Sequence, residues 1–432
     1  MTEKSVITCD LEGRIETFNE GAAAMFGWPA EEIIGKKRVS AFSPGLIVLG
    51  HVGGWLQQAV ADGAHEARTV FVRKDGTPFA ADIRITPTFK NGAQIGYCGV
   101  TVARPEVPIA EAMPKISLGT KAMRWLVVTR APFLAAMIVP ILLGATWVHA
   151  RGLTGAFPWG TLGLVLAGGI LLHLAANTFN DYFDWTSGTD PGNTDYFLPF
   201  SGGSRSIELG LIGERGLLRL ASVTLALAVL DGAWLVSRCG TGLLWFGLAG
   251  AFSAVFYTAP PLRLAARRGL GELFVGLNFG PLVTAGTAVA LTGTLTADDF
   301  FIGLPLGLFT ASILWINEFP DAPSDARAGK NNLVVTLGLD AARWGFAALL
   351  LGAFGAVAAM VGTGRLPAFA LVALLAAPLG VFAAVQCFRH ARDRQLVKAN
   401  AATVQLQVVA GLLLIAGLFL QGWLRGPFHP LG

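Results

Sequence analysis

The chain has 432 residues, of which 53% are hydrophobic and only 14% are charged, and its mean hydropathy is +0.58. Soluble globular proteins carry about 25% charged residues, so this composition excludes an ordinary soluble enzyme and indicates a chain that lies mostly in a lipid bilayer. The formal net charge is only +4 and the basic residues fall in short loops, which argues against a nucleic-acid partner. Four scattered cysteines lack the spacing of disulfide frameworks or zinc sites, and the N-terminus lacks the apolar stretch of a cleaved signal peptide.

The first hundred residues are mixed and polar, and their turn signals predict a small α+β domain. Lys74-Asp75-Gly76 and Lys90-Asn91-Gly92 are hairpin turns between strands, and Asn19 is a helix N-cap. A longer helix is predicted over residues 54–62. The predicted strands cover residues 5–9, 14–18, 67–73, 78–86 and 95–103.

This order of elements, with the segments DLEGRIETFNEGAAAMFGW and RKDGTPFAADIRITP, resembles a PAS sensor domain over roughly residues 5–104. We therefore assign residues 1–104 to a PAS-like domain whose ligand is unknown. The cysteine motif of flavin-binding photosensory PAS domains is absent. His51 and His65 are possible haem ligands, but histidines at ordinary surface or helix positions are the more common case.

A Pro-rich stretch, residues 105–117, predicts a linker, and the remainder, 118–432, is a second domain of long apolar runs. Runs of about 20 apolar residues are long enough to cross a bilayer. The predicted fold is thus multi-domain, with an N-terminal α+β domain followed by an all-α polytopic membrane bundle of about nine transmembrane helices. The predicted spans are residues 131–150, 159–183, 217–236, 241–257, 273–291, 300–317, 342–361, 367–388 and 404–424.

The basic residues of the loops predict the orientation of these spans. With the N-terminus inside, the loops after spans two, four, six and eight face the cytoplasm, where positive charge accumulates. These loops carry most of the arginine and lysine of the membrane part, so we expect the N-terminal domain to be cytoplasmic in a bacterial-type plasma membrane. Their basic residues are Arg205, Arg215, Arg263, Arg267, Arg268, Arg327, Lys330, Arg389, Arg392, Arg394 and Lys398.

Two acid-rich segments lie at the ends of the second and sixth predicted spans, and each contains Asn-x-x-x-Asp. Carboxylates beside hydrocarbon are costly, and Mg²⁺ binds one or two carboxylates together with phosphate oxygens. Two clusters facing each other therefore predict metal ions that hold a diphosphate, although acids that merely mark a helix exit into water are the alternative. The residues sharing a helical face are Asn177, Asp181 and Asp184 in the first cluster and Asn317, Asp321 and Asp325 in the second.

Nearby loops supply groups suited to anion binding. Gly202 and Gly203 allow backbone amides to approach an anion. For Asp190, Asp195 and Glu318, a solvated loop position is an equal alternative to a role in the site. Four cations are predicted to neutralise the diphosphate: Arg205, Arg263, Arg327 and Lys330.

The membrane part resembles the UbiA superfamily of intramembrane prenyltransferases over about residues 118–424. The resemblance rests on the stretches Asn180-Asp181-x-x-Asp184 and Asp321-x-x-x-Asp325, and on YTAPPLRL and GELFVGLNFGP. NDYFDWTSGTD and SGGSR are most similar to the dihydroxynaphthoate branch, which makes menaquinone precursors. The resemblance implies Mg²⁺-dependent transfer of a polyprenyl group from a polyprenyl diphosphate to an aromatic acceptor. The residues it implies are Asp181, Asp184, Asp321 and Asp325 as metal ligands and catalytic groups, Tyr257 as a catalytic group, and Asn177, Asn180, Asn317, Arg205, Arg263, Arg327, Lys330 and Asp190 as substrate contacts.

Some features depart from that family pattern and leave alternatives open. Gly188 stands where many members have a further acid, with Asp190 two residues later, so the third ligand of the first cluster is open. Pro261 replaces a lysine whose role Arg263 would take. The acceptor could instead be another quinone precursor, chlorophyllide, haem or a lipid, and the chain could be a membrane-anchored PAS sensor without catalysis. A transporter is less consistent with acids gathered at helix ends on one side. Prenyl chain length and oligomeric state are not predicted.

Overall fold

The computed structural model describes residues 4–197 and 199–430 and divides them into two compact units. The first unit holds the described residues up to Val128 together with Arg205–Glu214; the second holds Thr129–Ser204 and the described residues from Arg215 onward. We expected the membrane domain to begin at residue 118. Residues 118–128 instead pack with the first unit, where the side chain of Thr120 lies within 2.8 Å of the position that a Cβ on Gly50 would occupy.

An antiparallel sheet of five strands, in the order β2-β1-β5-β4-β3, forms the body of the first unit. All five predicted strands are present. The fourth runs four residues beyond its predicted end, because Asn91 and Gly92 have positive φ and form a tight turn that lets Lys90 pair with Ala93. The strands are β1 (Ser5–Asp10), β2 (Ile15–Phe18), β3 (His65–Val72), β4 (Pro78–Lys90) and β5 (Ala93–Ala103).

Short helices cover this sheet and bury an aromatic core. Asn19 caps the first helix as predicted, since its side chain accepts a hydrogen bond from the Ala22 amide. Phe26 at the end of that helix stacks on Phe42 with 4.3 Å between ring centroids. The helices of the first unit are α1 (Glu20–Phe26), α2 (Ala30–Ile33), α3 (Gly45–Ile47), α4 (Gly53–Asp62), α5 (Ile109–Ala112) and α6 (Leu118–Val128).

The segment Arg205–Glu214 packs within this first unit, although it lies far along the chain from the rest of it. Its contact is made at Gly45, the first residue of α3. A Cβ on Gly45 would stand 2.1 Å from the carbonyl oxygen of Leu209, so only glycine allows the two backbones to come this close. Leu211 from the same segment is buried.

The second unit is a bundle of helices, several of them joined by short 3₁₀ or π segments. They are α7 (Ala135–Ala150), α8 (Trp159–Thr186), α9 (Thr189–Gly192), α10 (Glu214–Cys239), α11 (Leu243–Phe256), α12 (Leu270–Leu277), α13 (Val283–Thr292), α14 (Ala297–Phe301), α15 (Leu304–Arg327), α16 (Leu333–Leu337), α17 (Leu339–Gly362), α18 (Ala377–His390) and α19 (Val397–Arg425).

Within residues 4–197 and 199–430, eight helical spans are long and apolar enough to cross a membrane. The shorter apolar helix α11 corresponds to the predicted fourth span, so the expected count of about nine is close. The eight are Ala131–Ala150, Trp159–Thr186, Glu214–Cys239, Leu270–Thr292, Ala297–Arg327, Leu339–Gly362, Ala368–His390 and Arg394–Arg425.

Glycines fix α15 against the span that contains α12 and α13. A Cβ on Gly280 would lie 2.6 Å from the Cα of Gly307, and a Cβ on Gly307 would lie 2.3 Å from the carbonyl oxygen of Gly276. Backbones that touch in this way are typical of membrane helices, where small residues allow close packing. This contact holds in place the helix that carries the second acid cluster.

Candidate functional site

Both predicted acid clusters lie at the ends of long helices, as expected. Asp181 and Asp184, in the last turns of α8, are only 4% and 9% exposed, and Asn180 donates a hydrogen bond of 3.2 Å to Asp184. Asp325, near the end of α15, is 2% exposed, and Asp321 one turn earlier is half-buried. These carboxylates are therefore not simply solvated at a helix exit.

Lys330 joins the two clusters. Its Nζ lies 3.5 Å from Oδ2 of Asp184 and 3.9 Å from Oδ1 of Asp325. Burial alone would lower the pKa of Lys330, but the negative charges of Asp184 and Asp325 raise that pKa well above its ordinary value. A charged ammonium thus stands between carboxylates of α8 and α15, and the two clusters face each other as the repeated spacing predicted.

The chain after α8 returns to the clusters and donates hydrogen bonds to them. The Gly202 amide donates to Asp321 over 3.1 Å, and Asn193 donates to the other oxygen of Asp321 over 2.6 Å. The Ser204 amide lies 3.3 Å from both carboxylate oxygens of Asp181. The glycine pair was predicted to bring amides to an anion, and in the ligand-free chain the anion that receives the Gly202 amide is Asp321 itself.

Gly203 is required at this place for two reasons. Its φ of +71° lies in the left-handed region that favours glycine. A Cβ there would also stand 2.7 Å from Oδ2 of Asp190 and 3.0 Å from Oδ1 of Asp181. The short Gly-Gly segment can therefore lie directly on the carboxylates, and Asp190, which is 6% exposed, belongs to the same group.

A proline interrupts α15 immediately before Asp321. Because Pro320 has no N–H, the carbonyl of Ile316 cannot receive its usual helical hydrogen bond. The fully buried Asn400 of α19 fills this role, since its Nδ2 lies 3.2 Å from the Ile316 carbonyl and 2.8 Å from Oδ1 of Asn317. Asn400 therefore holds both the broken turn and the asparagine that opens the second cluster.

The predicted cations have different places. Lys330 lies in the site, and Arg263 lines a narrow crevice shared with Tyr257, Asp184 and Lys330. Arg327 donates to the Gly192 carbonyl over 3.4 Å at the surface. Arg205 is buried in the first unit, where its guanidinium lies 3.1 Å from Glu208.

Arg130 is a cation that sequence reasoning missed. It lies immediately before the first span and places a guanidinium nitrogen 3.8 Å from Asp181. A usable signal was present, because the predicted topology starts the first span on the same side as both acid clusters. Arg130 precedes every span, so it lies outside the loops whose charges predict the topology.

A cavity of about 640 Å³ connects the acid clusters to the interior of the bundle. Its walls include apolar side chains such as Leu172, Phe279 and Val283, whereas polar groups gather where α8 and α15 end. Such a cavity suits a ligand with a charged head and a hydrocarbon tail. The predicted site residues that line it are Asn177, Asn180, Asp184, Asp190, Tyr257, Asn317, Asp321, Asp325 and Lys330.

Three acids had a solvated loop position as the alternative to a role in the site, and they differ in burial. For Asp190 and Glu318 that alternative is wrong, since each is 6% exposed and lines the cavity. Asp195 is exposed and pairs with Arg394, so the solvated loop position is correct for this acid. Asp231 of α10 also lines the cavity, where Gly168 leaves space for its carboxylate. Glu272 opens α12 and is buried, and it accepts a hydrogen bond of 2.7 Å from the Leu333 amide.

Acids outnumber cations at the charged end of the cavity. In the parts of the chain that are described, no three His, Cys, Asp or Glu side chains are grouped closely enough to hold a metal ion by themselves. Carboxylates buried without enough positive charge are unfavourable, so the site favours additional cations. Among the described residues, the buried or half-buried acids here include Asp181, Asp184, Glu318, Asp321 and Asp325, and Arg130 and Lys330 form ion pairs with three of them.

In the first unit, the two histidines considered as haem ligands lie on either side of one tryptophan. The ring of Trp55 is 5.8 Å from that of His51 and 6.0 Å from that of His65. Burial raises the pKa of the Cys9 thiol to about 12, so this cysteine is an unreactive core residue.

Comparison with known proteins yields family matches for both parts. Residues 137–409 match the model of the UbiA prenyltransferase family, and residues 3–102 match that of a PAS domain. The 1,4-dihydroxy-2-naphthoate octaprenyltransferase of Mycobacterium tuberculosis is 32% identical over 310 residues, which cover 70% of this chain and 98% of that protein. The Escherichia coli protein of the same name is 29% identical over 310 residues, covering 70% and 97%.

One solved structure shares the fold of the membrane part. A UbiA homolog from Archaeoglobus fulgidus, bound to DMAPP and Mg²⁺, superposes with a TM-score of 0.53 at 17% identity. The match covers 69% of this chain and 98% of that one. At this level of identity the likeness shows the fold.

Proposed function

The chain belongs to the UbiA prenyltransferase family, carries an N-terminal PAS domain and is an integral membrane prenyltransferase, and we propose that it transfers a polyprenyl group from a polyprenyl diphosphate to a dihydroxynaphthoate-like acceptor in menaquinone biosynthesis. The observation that carries this proposal is the group of buried carboxylates at one end of a cavity whose other walls are mostly apolar. That arrangement suits a diphosphate bound through metal ions, with its polyprenyl tail in the apolar part. The relatives named for dihydroxynaphthoate support the choice of acceptor.

The residues present fit Mg²⁺, because the site offers carboxylate oxygens in excess of its cations. Asp181 and Asp184 on one side, and Asp321 and Asp325 on the other, would hold the ions, with phosphate oxygens completing their coordination. Bound Mg²⁺ would neutralise the charge that develops on the departing diphosphate. Asp190 is the candidate further ligand of the first cluster, since it is buried against Gly203.

The chain's own groups act around the reacting bond. Lys330 and Arg130 bring positive charge to the diphosphate, and Asn177 and Asn317 orient it. The bond between the first prenyl carbon and the diphosphate oxygen breaks, and its electron pair leaves with the diphosphate. Tyr257 contacts the resulting allylic cation from the cavity wall, while the apolar lining keeps water away from it. A carbon of the acceptor ring attacks the cation, and the ring then loses a proton or CO₂.

The assignment is tested with membranes that contain Asp181→Ala or Asp321→Ala protein. Each substitution should abolish Mg²⁺-dependent release of diphosphate and formation of the prenylated ring, measured together by phosphate assay and mass spectrometry. Asp195→Ala is the matched control, since Asp195 is an exposed acid paired with Arg394. Undiminished activity in either cluster variant would contradict the assignment. Quinone profiles of cells with and without the protein would identify the acceptor.

We also propose that the PAS domain regulates the enzyme through the segment that follows the glycine pair. Ser204, whose amide contacts Asp181, is followed directly by Arg205–Glu214, which packs within the PAS-containing unit. A change in the PAS domain that displaces this segment would pull on the amides at the carboxylates.

Gly45→Val tests this regulation, because any side chain at Gly45 must displace Leu209. Prenyl transfer should change in rate or in Mg²⁺ dependence by several-fold. Gly54→Ala is the control, since a Cβ on Gly54 would have nothing within 4 Å. Equal kinetics of both variants and the parent protein would count against coupling through this segment.

The loop charges support a cytoplasmic position for the PAS domain. Protease added to inside-out membrane vesicles should then remove this domain, whereas right-side-out vesicles should protect it. Digestion only in right-side-out vesicles would reverse the proposed orientation.

A further inference from the structure

His173 is a buried polar side chain that the proposed chemistry has not used. It lies in α8, is 5% exposed, and lines the cavity. Neither of its ring nitrogens, Nδ1 or Nε2, has a hydrogen-bond partner within the described residues. A buried polar group without a hydrogen-bond partner destabilises the protein. A ligand that supplies the missing hydrogen bond would offset this destabilisation.

Two buried hydroxyl groups of the membrane helices do not present this problem. Thr178, also in α8, donates to the Leu174 carbonyl within its own helix, and Thr310 donates to the Leu306 carbonyl. Among the described residues, His173 makes no such bond to its own helix. Because it lines the cavity, a ligand there can reach its unused hydrogen-bonding groups.

Its position along α8 lies between the charged end of the cavity and the apolar interior. His173 precedes Asn177 by one helical turn, about 6 Å, and Asn180 by two turns, about 10 Å. All three line the same cavity. A ring held beside His173 would therefore lie within reach of a prenyl carbon whose diphosphate is bound at the acid clusters.

An aromatic wall stands beside the histidine. The ring of Phe279, which also lines the cavity, packs edge-on against His173 with 5.4 Å between centroids. An apolar ring face next to one hydrogen-bonding group suits a flat aromatic ligand that carries a hydroxyl group.

We propose that His173 binds the ring hydroxyl of the aromatic acceptor and, together with Phe279, positions that ring for attack on the prenyl carbon. This inference rests on the proposed function and adds to it the acceptor contact. His173 accepts the hydroxyl proton in a hydrogen bond, so the ring oxygen directs electron density into the ring that attacks. No covalent bond to His173 is formed.

The test measures binding to the full-length protein in nanodiscs, by quenching of tryptophan fluorescence, without prenyl diphosphate. The probes are 1,4-dihydroxy-2-naphthoate and 2-naphthoate, which lacks the hydroxyls. The parent protein should prefer the hydroxylated ring by about tenfold, the value of one hydrogen bond. His173→Leu should abolish this preference and leave the affinity for 2-naphthoate unchanged. His173→Gln or His173→Asn, each of which keeps a hydrogen-bonding group, should restore part of it.

A second measurement separates positioning from folding. In steady-state assays, His173→Leu should raise the acceptor KM about tenfold, with the KM for prenyl diphosphate unchanged. Thr178→Val is the matched control, since Thr178 is fully buried in the same helix and does not line the cavity.

Two outcomes would overturn the inference: equal binding of the two probes by the parent protein, or a hydroxyl preference retained by His173→Leu. If the binding results hold but no variant or parent protein prenylates the ring, the proposed function fails while the contact at His173 stands.

Discussion

Replacing Lys330 by methionine should destabilise the ligand-free protein and make its stability depend on Mg²⁺. Methionine keeps the length and apolar stem of the lysine but removes its charge. The carboxylates of Asp184 and Asp325, 13% and 3% exposed, would then face each other without the cation between them. The perturbation therefore addresses the charge balance of the site with little change in packing.

The magnitude follows from the two distances. At an effective dielectric constant near 20, unit charges separated by 3.5 Å and 3.9 Å attract by roughly 4–5 kcal/mol each. The cost of burying the ammonium offsets much of this attraction, and removal of one partner from a buried ion pair costs about 3–5 kcal/mol. We expect a loss near the lower end, about 3 kcal/mol, because Lys330 is 17% exposed and water partly screens these charges.

The assay is thermal unfolding of the purified protein in detergent, followed by size-exclusion chromatography, with and without Mg²⁺ and a prenyl diphosphate. The variant should unfold several degrees lower without Mg²⁺ and regain most of that loss with Mg²⁺. Lys398→Met is the control, since Lys398 is an exposed lysine outside the site. Equal unfolding of Lys330→Met and parent protein without Mg²⁺ would refute the charge argument. A loss that Mg²⁺ fails to restore would refute the metal site.

Three further substitutions have defined outcomes. Gly203→Ala should reduce prenyl transfer at least tenfold. Gly293→Ala is the control, because Gly293 has a φ of +73° and nothing within 4 Å of its Cβ, so an alanine there strains only the backbone. Equal rates of the two variants would exclude the close contact at Gly203. Asn400→Leu leaves two buried oxygens without a donor and should lower the unfolding free energy by about 1–3 kcal/mol in the thermal assay, and an unchanged value would contradict its role. A hydrogen bond from Arg68 holds the pKa of Asp82 below its usual range, so stability from this pair is present above pH 4 and is lost as the pH falls through the lowered pKa. Asp82→Asn should lower the free energy of unfolding by about 1 kcal/mol or less at pH 7. In limited proteolysis of the PAS domain, the variant should lose less protease resistance than the parent protein when the pH is lowered.

Much of the fold follows from local patterns, and the differences arise from contacts between distant parts of the chain. Strand alternation and apolar runs predicted the sheet and the spans, because each depends on residues near one another in sequence. The end of β4 at Lys90 required the positive φ of Asn91. The place of Arg205–Glu214 in the first unit depends on a contact with Gly45, which no local pattern encodes.

The same distinction applies to the site. The two acid clusters were recognisable because both contain Asn-x-x-x-Asp, a spacing that places the two side chains on one face of a helix. Asn400 was not, because its contact to Ile316 spans 84 residues and is needed only once Pro320 has broken the helix. Likewise, the role of His173 becomes visible only when the cavity places it beside Phe279.

The hydrogen bonds at the carboxylates have a consequence for metal binding. Asp321 accepts from Gly202 and Asn193, one donor to each oxygen, and the Ser204 amide lies equally close to both oxygens of Asp181. Each carboxylate oxygen has two lone-pair sites, so a metal ion can bind an oxygen that already accepts an amide hydrogen bond, and the amide then orients that ligand. The Gly202–Ser204 segment and a bound metal should therefore stabilise each other at these carboxylates. The proposed regulation, through the chain that continues from Ser204 into the segment packed with the PAS domain, implies that ligand binding at either place alters the affinity at the other by the same factor.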